Sequence, residues 1–146
     1  MQNKIKRLVR ELGIKIKYSD IASNGFFGFK NNTAIIVINE NLNEIETSLT
    51  LLHETAHFLN RDCDKHITNH FQNDNLEFEA NKYMIREAMK MLDDKYDFTT
   101  DTNYQQIIDS LNLPYHHDGV ILDEFNSIIS DKFDMTPYCE TDYFYE

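Results

Sequence analysis

The hydrophobic period of the chain changes once, and that change limits the folds open to it. Between Ile14 and Asn39 the apolar residues alternate or run in short blocks, and from Asn43 onward they recur every three or four positions. A strand-bearing stretch followed by a helix-bearing one points to an α+β fold rather than to alternating βα units. Within the first stretch, Ile14, Ile16 and Tyr18 alternate with Lys15 and Lys17, a half-buried strand pattern. Ser23-Asn24-Gly25 and Asn31-Asn32 are turn chemistry, and they bracket the aromatic run Phe26-Phe27-Gly28-Phe29. Residues 33–38, Thr-Ala-Ile-Ile-Val-Ile, are β-branched nearly throughout and suit a strand covered on both faces or close to it. Three strands joined by short turns predict a small three-stranded antiparallel meander.

Helices flank this sheet. Ile5, Leu8, Val9 and Leu12 share one helical face ahead of it, and Gly13 is a stop signal. After it, Ile45, Leu49, Leu52, Ala56 and Leu59 predict a buried helix over 43–60. A polar run over 60–75 reads as a loop. A second long helix is expected from about residue 75 to 92, on Leu76, Ala80, Tyr83, Met84, Ala88 and Met91. Thr102 with Gln105 forms a plausible capping box for a short helix ending near Leu111, before Pro114. Val120, Ile121, Phe125, Ile128 and Ile129 mark a last helix. The expectation is one domain over 1–146: a core over about 1–95, a helical extension over about 100–133, and an acidic aromatic tail over 134–146.

A chain of 146 residues buries roughly two-thirds of its unfolded surface, enough for a real core. Its net charge of −11 is uneven: residues 1–61 carry 8 basic and 6 acidic groups, residues 62–146 carry 6 and 19. Such a balance repels phosphate backbones, so direct nucleic-acid binding is not expected. No apolar run approaches the roughly 20 residues of a membrane span. The N-terminus has basic residues but no apolar segment after them, so no secretory signal is expected. Cys63 and Cys139 then read as reduced thiols of a cytoplasmic protein.

Chemistry enters with His53-Glu54-Thr55-Ala56-His57, inside the predicted helix. Residues four apart lie only about 40° apart around a helix axis, so both imidazoles point the same way. Two such imidazoles can hold one Zn²⁺, with Glu54 placed as general base for a water at the metal. A hydrolytic zinc site needs a third protein ligand, and three candidates follow. Glu77 opens the second long helix, with Asn81 one turn on and able to hydrogen-bond a ligand histidine. Glu79 lies about 160° around that helix from Glu77, so both cannot face the metal. Cys63 stands ten residues after His53, and Asn60 could make the turn it would require. His66 and His70 repeat the four-residue spacing without an intervening glutamate and read as solvated loop histidines, with a second metal site as the sharper reading. Tyr115, His116 and His117 are candidates for donating to a developing oxyanion.

The run Leu51-Leu52-His53-Glu54-Thr55-Ala56-His57-Phe58-Leu59, followed by Glu77-Phe78-Glu79-Ala80-Asn81-Lys82-Tyr83, resembles the ImmA/IrrE family of metallopeptidases. That family shows His-Glu-x-x-His and then a helix with Glu-x-x-Ala-Asn and an aromatic two positions later. The similarity extends upstream through Phe27-Gly28-Phe29, residues 35–38 and Asn39-Glu40-Asn41-Leu42, covering roughly residues 24–92. Ala56 stands where glycine is common, and the loop after the motif is unusually rich in histidine. The resemblance implies a minimal gluzincin-like zincin of the bacterial cytoplasm, with Glu77 as third ligand. It also implies a phage or mobile-element setting, in which such enzymes cleave a helix-turn-helix repressor. Only 52 residues precede His53 and none reads as a helix-turn-helix, so the repressor would be met in trans. The competing class is a non-catalytic antirepressor or inhibitor acting by binding. The intact Glu54 favours the enzyme, because a binding module needs no general base beside its ligands.

Overall fold

In the computed structural model, which describes residues 1–62 and 70–133, α1 (Gln2–Glu11) leads into β1 (Lys15–Ser19), β2 (Gly25–Lys30) and β3 (Thr33–Asn39). There follow α2 (Glu44–Leu59), α3 (His70–Tyr96), α4 (Tyr104–Leu111), a 3-10 turn (Tyr115–His117) and α5 (Asp118–Phe133). The fold is α+β, as the change of period predicts. The chain divides into two compact units, 1–88 and 89–146.

In the first unit, Ile5 and Val9 of α1, Ala34, Ile36 and Ile38 of β3, and Leu49, Leu51, Leu52 and Ala56 of α2 are all buried. Gly13, at φ +82°, ends α1 in a backbone conformation that costs glycine little. The β2–β3 hairpin turns on Asn31 and Asn32, both at positive φ (52° and 65°), as a two-residue hairpin loop requires.

The antiparallel meander is corrected in one strand. The sheet order is β1-β3-β2, and β1 pairs with β3 in parallel, Lys15 opposite Ile35 and Ser19 opposite Asn39. Only β2 and β3 are antiparallel. The physical reason lies in β3, whose alternate residues are buried and which takes the centre, leaving an edge to each neighbour. The chain between β1 and β2 then crosses the end of β3. The Asn39 amide donates to the carbonyls of Ile21 (3.1 Å) and Ser23 (3.2 Å) there, and its backbone N–H donates to Asn24 O.

α2 carries the His-Glu-x-x-His motif, and its start is fixed by a capping box. The Asn43 side chain accepts from the Glu46 N–H (2.8 Å), while the Glu46 carboxylate accepts from the Asn43 N–H (3.1 Å). The helix packs close against the sheet at Gly25. A Cβ there would lie 2.7 Å from Val37 O and 2.8 Å from Thr50 Cγ2, one turn before His53. Gly25 therefore serves close approach as the first residue of β2, rather than the turn its Ser-Asn-Gly setting suggests. Gly25→Ala should lower the unfolding free energy by about 1–3 kcal/mol, because the carbonyl it meets is backbone and cannot swing away. Urea unfolding followed by circular dichroism measures this.

Two further expectations shift. α3 begins at His70 and continues to Tyr96, beyond the predicted 75–92 at both ends. Its first turns, His-Phe-Gln-Asn-Asp, carry no apolar repeat that would mark them as helix. α4 is capped by Asn103, whose side chain accepts from the Gln105 N–H, whereas the Thr102 hydroxyl accepts from the Thr99 N–H.

In the second unit, Met89, Phe98, Ile107, Leu111, Ile121 and Phe125 are buried, with the Phe98 and Phe125 rings 5.4 Å apart. The Lys132 ammonium donates to Asp93 and, at 2.9 Å, to the Phe98 carbonyl. His117 is buried and Tyr115 exposed in the 3-10 turn of this unit. Cys63, His66, Cys139 and the tail over 134–146 lie outside the described residues. Among the described residues, no helix is long and apolar enough to cross a membrane.

Candidate metal centre

The four-residue spacing on α2 brings the His53 and His57 rings edge to face, with centroids 4.8 Å apart. Their Nε2 atoms lie 3.2 Å from one another. α3 brings Glu77 to both: Oε1 is 3.0 Å from His53 Nε2, and Oε2 is 2.9 Å from His57 Nε2. One ligand atom from each residue thus falls within 4.8 Å of the others. Both rings are largely buried, while the Glu77 side chain stays 44% exposed, so the cluster opens to solvent on that side. Glu79 is exposed and stands apart from the cluster. Cys63 lies outside the described residues.

Each imidazole has a further polar neighbour. Asn81, one turn further along α3 than Glu77, interacts with His53 and favours its protonated form, the proximity its spacing from Glu77 suggests. Behind His57, Nδ1 lies 2.7 Å from Asp62 Oδ2. Sequence reasoning passed over Asp62, which stands in the polar run after the motif; its only signal was an acid just past the helix end. Burial holds the His53 ring below its ordinary pKa, against the opposing pull of Glu77, so it is a neutral donor at pH 7.

Glu54 is buried beside the pair, its Oε2 4.0 Å from His53 Nε2. Burial pushes its carboxyl up to about 7; His57 opposes this and the Glu77 charge adds to it. A carboxyl so poised is suited to taking and returning a proton near neutrality. Thr55, the buried hydroxyl of the motif, is satisfied by donating to the Leu51 carbonyl at 2.6 Å, which leaves it a packing role.

Two nitrogens and a carboxylate converging from two helices form a donor set compatible with a metal ion. The Peptidase_M78 family model, described as the IrrE N-terminal-like domain, matches residues 9–107. The chain belongs to this family. The match takes in the end of α1, the sheet, α2, α3 and the start of α4, well beyond the 24–92 over which the motifs alone carry the resemblance. Membership in this peptidase family supports a metallopeptidase-type function. Searches of curated proteins and of solved structures returned no match.

Proposed function

We propose that the chain is a zinc-dependent endopeptidase acting in the cytoplasm on a helix-turn-helix repressor, in trans, to release phage or mobile-element genes. The observation that carries this reading is the convergence of His53, His57 and Glu77 beside the buried Glu54. His53 and His57 would hold the ion through Nε2 and Glu77 through its carboxylate. A zinc ion held there would supply Lewis acidity for the hydrolysis. Glu54 takes the proton from the attacking water and passes it to the leaving amine. Asn81 keeps the His53 ring in place while this happens.

An extended substrate needs a sheet edge beside the motif helix, and β2 supplies the better of the two. It is the antiparallel edge, and its Phe27 ring meets Phe58, the neighbour of His57, at 5.8 Å. Phe26 and Phe29 are exposed along it. Backbone pairing to β2 would give affinity and the aromatic side chains selection, which suits a flexible or locally unfolded segment such as an inter-domain linker.

The test is incubation with a candidate helix-turn-helix repressor, read by mass spectrometry for new termini. New termini that vanish with a chelator and return with zinc are expected. Release of the repressor from its operator without any cut would favour the antirepressor reading instead.

A further inference from the structure

We propose that Asp62 is a positioning residue for the metal, acting through His57: it fixes the ring with Nε2 toward the site and adds a negative charge that helps to balance a bound dication. The inference rests on the metal reading of the site above.

Three observations carry it. The first is distance and burial. Asp62 Oδ2 lies 2.7 Å from His57 Nδ1, and the Asp62 side chain is only 7% exposed. A buried carboxylate is costly unless paired, and this separation is that of a charge-assisted hydrogen bond. An ionised carboxylate only accepts, so His57 Nδ1–H donates to Asp62 and the ring is held with Nε2 toward Glu77 and the site.

The second is backbone. Five residues of continuing helix would put Asp62 about 140° around the axis from His57, out of reach. α2 instead ends at Leu59, and Arg61 adopts φ +56°, which turns the chain back toward the ring. A non-glycine residue in the left-handed region is unfavourable by itself, and this one directly precedes the buried carboxylate.

The third is charge. Among the three ligands only Glu77 is an anion, which leaves a dication under-compensated; the Asp62 carboxylate, held on His57, adds a negative charge beside that of Glu54. Asn81, the partner of His53, is a neutral amide, whereas Asp62 brings a carboxylate to His57.

The test compares zinc affinity, by competition with a chromophoric chelator, in the wild type, Asp62→Asn, Asp62→Ala and Asn81→Ala. Thermal unfolding of each metal-free protein is measured alongside. Asp62→Asn keeps the shape and a hydrogen bond and loses the charge, so its affinity should fall about 10–100-fold. Asp62→Ala should fall further, and Asn81→Ala less than Asp62→Ala. The Co²⁺-substituted proteins should show a shifted d–d spectrum in the Asp62 variants. If Asp62→Asn binds zinc within about twofold of the wild type, the proposal is overturned. The same holds if the loss appears only as lower stability of the metal-free protein, which is what a purely structural Asp62 gives. Failure of the wild type to bind any divalent metal would overturn the function reading itself, and this proposal with it.

Discussion

Glu54→Gln is expected to bind zinc and the partner normally while losing peptide cleavage by at least about a hundredfold. Glutamine has nearly the same volume, so the buried position beside His53 is refilled without a cavity. Glu54 is also outside the three-residue cluster, so metal content should not change. The amide cannot accept the proton of the attacking water, and general-base contributions of this kind are worth about 10²–10⁴ in rate. Single-turnover cleavage of the repressor and a parallel binding isotherm separate the two effects. Full cleavage by Glu54→Gln would mean that another group moves the proton.

The second large effect concerns the ligands. His57→Ala removes a ligand and the hydrogen bond it makes with Asp62 in one step, so zinc affinity should drop by more than the 10–100-fold expected from losing an outer partner alone. The loss is readable as stability. Zinc at a hundred times its Kd adds about 2.7 kcal/mol to a protein that binds it only when folded. For a chain of this size that raises the Tm by about 5–10 °C. The wild type should show this shift on zinc addition and lose it with a chelator. His57→Ala should show none at the same zinc concentration, while its metal-free Tm need not rise.

The sequence made the motif helix legible because periodicity, a capping box and the histidine spacing all report on one local element. α1 and its glycine stop are legible for the same reason. The strand pairing is not, because β1 has no local signal that says which neighbour it will join. That choice is made by burial of β3 and by the Asn39 amide holding the crossing chain 16 and 18 residues away in sequence. The early start of α3 was hidden because polar residues at a helix end carry no period. The cap of α4 was read one residue off, since Thr102 and Asn103 are both good capping residues and only their partners distinguish them. At the candidate site, the approach of Glu77 and Asn81 to the imidazoles is legible because they lie one turn apart on a predicted helix. Asp62 is not, because its reach to His57 depends on the left-handed turn at Arg61.

The most direct test of the account is anomalous scattering at the zinc edge from crystals of the zinc-loaded protein. One strong peak is expected, about 2.0–2.1 Å from His53 Nε2 and His57 Nε2 and about 2.0–2.2 Å from a Glu77 oxygen, with Glu54 near but not bonded. A peak ligated by Glu79 or Cys63 in place of Glu77, or none at this cluster in fully loaded protein, would contradict it.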